Sequence, residues 1–365
     1  MNPQETPPLD LLSLGWNPWI ETLFAPFIDG GYIPARVTFE HARSYRVYTT
    51  DGEVEAELSG RLRHGIHHQQ GFPVVGDWVA IRFVDGEDKA TIHATMTRTT
   101  KFSRKVAGDA TEEQVVAANL DHVFLVTSLD ANFNLRRIER YLLLSWTSGV
   151  KPIILLTKAD LAEDRDRSVA EVASVAADTP IHVISAITGA GLDEIDQYFG
   201  RGRTIALVGS SGVGKSTLIN RLVGSDVLRT GKIRIRDGRG RHTTSNRQMV
   251  VLPNGTLIID TPGMRELQLW DVEDQDIDNA FPDILALAES CRFRNCRHQD
   301  EPKCAVKQAL ADGTLVKARF DSYEKLQQEI AFLIRRSEKT AHLADKKRLK
   351  ALLRASEAYK PRQIH

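Results

Sequence analysis

The stretch Gly209-Ser-Ser-Gly-Val-Gly-Lys-Ser-Thr217 constrains this chain more than any other. It follows the apolar run Ile205–Val208 and leads into Leu218, which places it as a glycine-rich turn between a buried strand and a helix. There Gly209, Gly212 and Gly214 allow the amides from Ser210, Ser211 and Val213 onward to curl around phosphates, and the helix N-terminus adds its positive dipole. Lys215 then reaches the β- and γ-phosphates, Ser216 ligates magnesium, and Thr217 closes the motif. The chain is expected to bind a nucleoside triphosphate with Mg2+.

The base is named by Thr157-Lys158-Ala159-Asp160, directly after the apolar run Ile153–Leu156. A carboxylate at Asp160 accepts from both the N1 hydrogen and the exocyclic amine of guanine, whereas adenine presents an acceptor at N1. Ser185-Ala186, after the run Ile181–Ile184, supports the same reading. Guanine-binding proteins usually carry Asn where this chain has Thr157, which leaves one base or loop-bracing contact open.

Two further motifs complete the set. Asp260-Thr-Pro-Gly263 ends the run Leu257–Ile259, so that Asp260 would hold magnesium through water and the Gly263 amide would sense the γ-phosphate. Thr244, with Thr243 beside it, would close on magnesium when that phosphate is present. After Gly263 stands Met264, where many GTPases use Gln to orient the attacking water, and a thioether cannot do this. His242 is the candidate catalytic group for that water, or alternatively a phosphate or RNA contact from a basic loop. The motifs run in permuted order, with base reader first and phosphate loop later, so the γ-phosphate sensor becomes the exit from the nucleotide domain toward the tail.

At 365 residues the chain exceeds one core, and its texture divides it. Residues 1–30 read as an N-terminal extension whose apolar residues form a helix packed on the first domain. Residues 31–112 hold five short strand-like runs with turn signals, which suit an oligonucleotide-binding (OB-type) barrel or another small β domain. Residues 113–280 hold continuous apolar runs alternating with helical stretches such as Leu135–Thr147, the pattern of a doubly wound α/β domain. Residues 281–365 read as helical, with a basic tail. The expected fold is therefore multidomain: barrel, permuted P-loop domain and a helical metal-binding end.

Net charge is zero, with 48 Lys/Arg against 48 Asp/Glu, so only local charge speaks for a polyanionic partner. Six Lys/Arg and one Asp lie between Arg229 and Arg241. The stretch Phe332–His365 holds ten Lys/Arg against three acids, which a solvated helix face also explains. All three cysteines fall within fourteen residues, as Cys291-x4-Cys296-x-His298-x5-Cys304. Three thiolates and an imidazole make a closed tetrahedral set for one structural zinc and point to a reducing, cytoplasmic setting. No apolar run approaches the length of about eighteen residues that a membrane span needs, and the N-terminus lacks a secretory signal's basic start.

These features together resemble the circularly permuted, ribosome small-subunit-dependent GTPases of the RsgA type. The resemblance rests on the permuted order, Gly209–Thr217, Gly240-Arg-His-Thr-Thr244, Asp260–Gly263 and the zinc spacing. Phe102-Ser-Arg104 and Glu113–Asn119 also look like that family's junction between barrel and GTPase. It implies a late-acting 30S maturation factor that binds 16S rRNA and hydrolyses GTP when stimulated by the small subunit; a monomer is expected. Arg61, Arg63, His64, His67 and His68, the loop Lys232–Arg241 and the tail Arg335–Arg362 are the groups that would meet rRNA phosphates. A P-loop ATPase or kinase would leave Asp160 and Ser185 without a task. An RNA-binding module with a vestigial site would have no use for Lys215, Ser216 and Asp260.

Overall fold

The computed structural model describes residues 10–41, 43–66, 69–105, 113–176, 178–226, 228, 247–261, 281–299, 301–317, 319–328, 330–332 and 335. His242, Thr243, Thr244, Gly263 and Met264 lie outside the described residues, as do His67, His68, the loop Lys232–Arg241 and the tail beyond Arg335. The described residues fall into two compact units, one reaching to Pro282 and the other starting at Asp283.

In the first unit, β1 (Ile33–His41), β2 (Ser44–Thr49), β3 (Gly52–Leu58), β4 (Trp78–Phe83) and β5 (Lys89–Thr95) contain the five expected strand runs. Pairing runs β1-β2-β3-β5-β4 and returns to β1, which closes the barrel. Its interior is Val37, Val47, Ala56, Val79, Ile81 and Ile92, inward residues of alternating strands. The short helix α1 (Pro18–Ile28) precedes it, with Asn17 capping the amides of Trp19 and Ile20. Ile20, Phe24 and Leu14 bury themselves against Trp78, and Trp16 meets that indole edge-on, centroids 5.0 Å apart. The apolar N-terminal patch thus packs on the barrel through Leu14, Trp16 and Phe24, as expected, whereas Leu12 and Trp19 stay exposed.

Arg36, on β1, is fully buried and donates to three carbonyls: Gly76 at 3.2 Å, Asn119 at 3.1 Å, and Leu14. Burial pushes this guanidinium down to about 10, against the pull of Asp121 and Asp77. Gly76 is required there, because its φ is +97° and a Cβ would lie 2.1 Å from the Ala118 carbonyl. After the helix α2 (Gly60–Gly65) and β4–β5, the hairpin β6 (Lys101–Lys105) and β7 (Glu113–Ala118) leads to the nucleotide-type fold.

That fold is a sheet of β8 (His122–Ser128), β9 (Lys151–Thr157), β10 (Ile181–Val183), β11 (Thr204–Val208), β12 (Arg247–Val251) and β13 (Leu257–Asp260). Their order is β10-β9-β8-β11-β13-β12, parallel except for β12. The helices α3 (Leu135–Thr147), α4 (Arg165–Ala173) and α5 (Lys215–Val223) accompany it, α3 with the bounds expected from its pattern. The free side of β12 pairs antiparallel with β1 at Phe39–Gln248 and Glu40–Arg247, so barrel and nucleotide fold share one eleven-stranded sheet.

In the second unit, α6 (Pro282–Glu289) and α7 (Ala305–Ala311) flank the cysteines, and residues 319–328 are helical. Arg319 grips Asp283 through two nitrogens, at 2.9 and 3.2 Å.

Candidate nucleotide site and metal centre

Every described nucleotide motif stands at the carboxyl end of a parallel strand, where open α/β sheets bind their ligands. The phosphate loop leaves β11 at the middle of the sheet. Gly209 is there because a Cβ would lie 2.3 Å from the Val126 carbonyl of β8, and Gly214 because its φ is +103° at the cap of α5. Lys215 is buried, with Nζ donating to the carbonyls of Gly209 at 2.8 Å and Ser210 at 3.1 Å. Burial pushes its ammonium down to about 8, with the Asp260 carboxylate pulling the other way.

Asp260 ends β13 and is 1% exposed, yet neither carboxylate oxygen meets a hydrogen-bond donor among the described residues. Burial pushes this acid up to about 6, and Lys215 pulls it back. Orphaned, buried carboxylate oxygens are what a hydrated cation satisfies. Asp260 therefore fits a hydrated Mg2+, which when bound would neutralise charge on the β- and γ-phosphate oxygens. Thr261 beside it donates to the Leu207 carbonyl at 2.6 Å and ties the end of β13 to β11.

At the base end, the Thr157 hydroxyl donates to the carbonyl of Val213 at 2.6 Å, with Thr127 O farther away at 3.3 Å. The loop-bracing contact left open by Thr in place of Asn is thus made by the hydroxyl. Lys158 adopts φ +60° and pairs with Asp130 at 2.7 Å. Asp160 accepts from the Ser185 hydroxyl at 2.5 Å, and the Ser185 amide donates to Ala190 O, so base reader and Ser185-Ala186 form one structure.

Asp130 and Arg137 are missed by motif reading. Burial pulls the Asp130 acid up, but bonds from Lys158, Ser128 and the Asn132 amide outweigh it and leave its pKa lowered. Arg137 donates to the Ser210 hydroxyl at 2.9 Å. The signal that points to them is positional: β8 neighbours β11, so the loop after β8 runs beside the phosphate loop.

In the second unit, the ligand atoms of Cys291, Cys296, His298 and Cys304 all lie within 4.8 Å of one another. Cys291 and Cys304 sulfurs are 3.9 Å apart, and His298 Nδ1 lies 3.4 Å from Cys304 and 3.7 Å from Cys291. Tetrahedral zinc with Zn–S of about 2.3 Å spaces its sulfurs by about 3.8 Å, close to the Cys291–Cys304 separation, so the donor set and its clustering fit one zinc ion. His298 is buried and adopts the left-handed φ of +61°. Burial raises the Cys291 thiol, but the amides of Val306 and Ala305 at the start of α7 outweigh it and favour the thiolate.

Comparison with known proteins bears on all of this. The RsgA GTPase family model matches residues 95–270, and a 50S ribosome-binding GTPase model matches residues 204–361. A small ribosomal subunit biogenesis GTPase RsgA from Opitutus terrae is 44% identical over 358 residues, covering 96% of this chain and 98% of that protein. This chain belongs to the RsgA GTPase family. A second RsgA, from Syntrophotalea carbinolica, is 40% identical and again covers 96% of this chain and 98% of its own. Among solved structures, YjeQ from Thermotoga maritima aligns with a TM-score of 0.59 at 26% identity, over 82% of this chain and 99% of that one. YloQ, described as a circularly permuted GTPase, aligns with a TM-score of 0.55 at 24% identity, over 84% and 96%, and shares the fold. The permuted GTPase with a barrel before it and a Cys3His set after it is the architecture expected from the sequence.

Proposed function

We propose that this RsgA-family chain hydrolyses GTP as a maturation factor of the small ribosomal subunit and that the subunit stimulates the hydrolysis. The observation that carries the chemistry is the joining of the Thr157–Asp160 motif to the phosphate loop through Thr157 and Val213, together with a buried, unsatisfied Asp260. The choice of subunit rests on relatives that match nearly the whole chain, which outweigh a domain description naming the 50S subunit.

In this reading the loop Gly209, Ser210, Ser211, Gly212, Val213, Gly214, Lys215, Ser216 and Thr217 holds the phosphates. Lys215 leaves the Gly209 and Ser210 carbonyls for the β- and γ-phosphate oxygens. Ser216, Thr244 and Asp260 hold magnesium, and Gly263 senses the γ-phosphate. Thr157, Lys158, Asp160, Ser185 and Ala186 read guanine. Met264 cannot align water, which makes intrinsic turnover slow, and His242 takes the task when the activator is bound. Cys291, Cys296, His298 and Cys304 bind structural zinc.

The barrel (31–112), the permuted domain (113–280) and the end domain (281–365) form a monomer that meets 16S rRNA in the cytoplasm. Among the described residues no helix is long and apolar enough to cross a membrane. GTP turnover measured with and without purified 30S subunits tests the reading. Stimulation is the expected result; turnover unchanged by the subunit would remove the ribosomal role and leave the GTPase standing.

A further inference from the structure

Arg137 stands in the first turn of α3, where the helix dipole disfavours a cation and where no acidic residue offsets it. Its guanidinium meets no carboxylate among the described residues; Nη1 donates instead to the Ser210 hydroxyl at 2.9 Å and to the Asn132 carbonyl at 3.3 Å. A cation placed against a helix dipole and without a counter-ion suggests a task outside its own helix.

Ser210 is the second residue of the phosphate loop and is buried, and its own carbonyl is one of the two that hold Lys215 Nζ. Arg137, Ser210 and Lys215 are therefore linked in series. The loop that carries Arg137 is fixed at its other end, where Asp130 accepts from Ser128 at 2.7 Å, from the Asn132 amide at 2.9 Å and from Lys158 of the base reader at 2.7 Å. One short segment, Ser128–Arg137, thus touches both halves of the nucleotide site, which are otherwise joined through Thr157 and Val213.

We infer that Arg137 is a positioning residue for GTP binding and hydrolysis. It acts through Ser210 to hold the phosphate loop open for a polyphosphate, and it adds a fixed positive charge beside that loop. The inference rests on the phosphate-loop reading and deepens it. Arginine suits the place because its charge persists at any working pH and one nitrogen can serve two acceptors.

The test uses the full chain with Arg137→Met, Ser210→Ala, the double variant and Arg137→Lys, each checked for unchanged melting temperature. Affinity for a fluorescent GDP and single-turnover GTP hydrolysis are measured. Arg137→Met is expected to lose about 10- to 150-fold in GDP affinity, the range for a lost hydrogen bond to a charged group, and Ser210→Ala is expected to lose affinity in the same direction. The double variant should lose no more than Arg137→Met alone, because that change already removes the contact that Ser210→Ala removes, and Arg137→Lys should recover most of the loss. Losses that multiply in the double variant, or an Arg137→Met chain that binds GDP like the wild type, would overturn the inference. A wild-type chain that binds no guanine nucleotide would instead remove the phosphate-loop reading beneath it.

Discussion

At Asp260 the fold holds a carboxylate that nothing described in the protein satisfies, and this has a measurable cost. Its pKa is raised from 3.8 to about 6. An acid raised in the folded state weakens folding as pH climbs from its unfolded value to its folded one, because the unfolded chain ionises first. In magnesium-free buffer the loss should set in above pH 4 and be complete a little above pH 6. Replacing Asp260 with Asn should raise the melting temperature of the metal-free chain by about 2–4 °C and abolish that pH dependence. The same variant should lower magnesium-dependent GTP turnover by about two orders of magnitude. A metal-free melting curve unaffected by the substitution would contradict the burial cost. At Thr157 a simpler experiment applies: Thr157→Val keeps the shape but leaves the Val213 carbonyl without its donor. It should cost about 1–3 kcal/mol in GTP binding, read by titration calorimetry. That residue looked like a departure when read as letters, since the sequence says which side chain is present but not which carbonyl lies 2.6 Å from it.

Elements were the more legible scale. Apolar runs such as Val123–Val126 and Ile205–Val208 announce buried parallel strands, and α3 shows its helical period in its own residues. The Cys291–Cys304 spacing announces its tetrahedral set for the same reason: short-range geometry is written in short-range sequence. Arg36 is the counter-case. It is one of 48 basic residues, and its burial against Leu14, Gly76 and Asn119 depends on segments brought from up to 83 residues away. Arg36→Met should destabilise the full chain by about 2–4 kcal/mol in urea unfolding, since the Leu14 and Asn119 carbonyls lose this donor and Gly76 keeps only the Asn119 side-chain amide. Arg137 was hidden likewise, because only the pairing of β8 with β11 reveals what its loop lies beside. For the Cys3His element, Cys304→Ser or a strong chelator should release one zinc per chain and unfold the helices after Asp283. Far-ultraviolet circular dichroism would follow the loss, and zinc restored to the wild type should reverse it.

On the scale of the molecule, the permuted order puts the base reader's strands β8–β10 ahead of the phosphate loop in sequence and beside it in space. The expected route from the γ-phosphate sensor at Gly263 to the tail lies outside the described residues. The route on the other side is described: β12, which follows the Thr243–Thr244 segment in sequence, is hydrogen-bonded along β1 of the barrel. That shared strand pair also settles a question of solubility. A strand at the rim of a sheet offers a row of unpaired amides and carbonyls to any other extended chain. Of the nucleotide sheet's two rims, β10 is only three residues long, and β12 is covered by the barrel. A nucleotide domain cut free of residues 1–95 would keep its phosphate loop but bare the Arg247–Val251 rim, and light scattering should show it self-associating where the full chain stays dispersed.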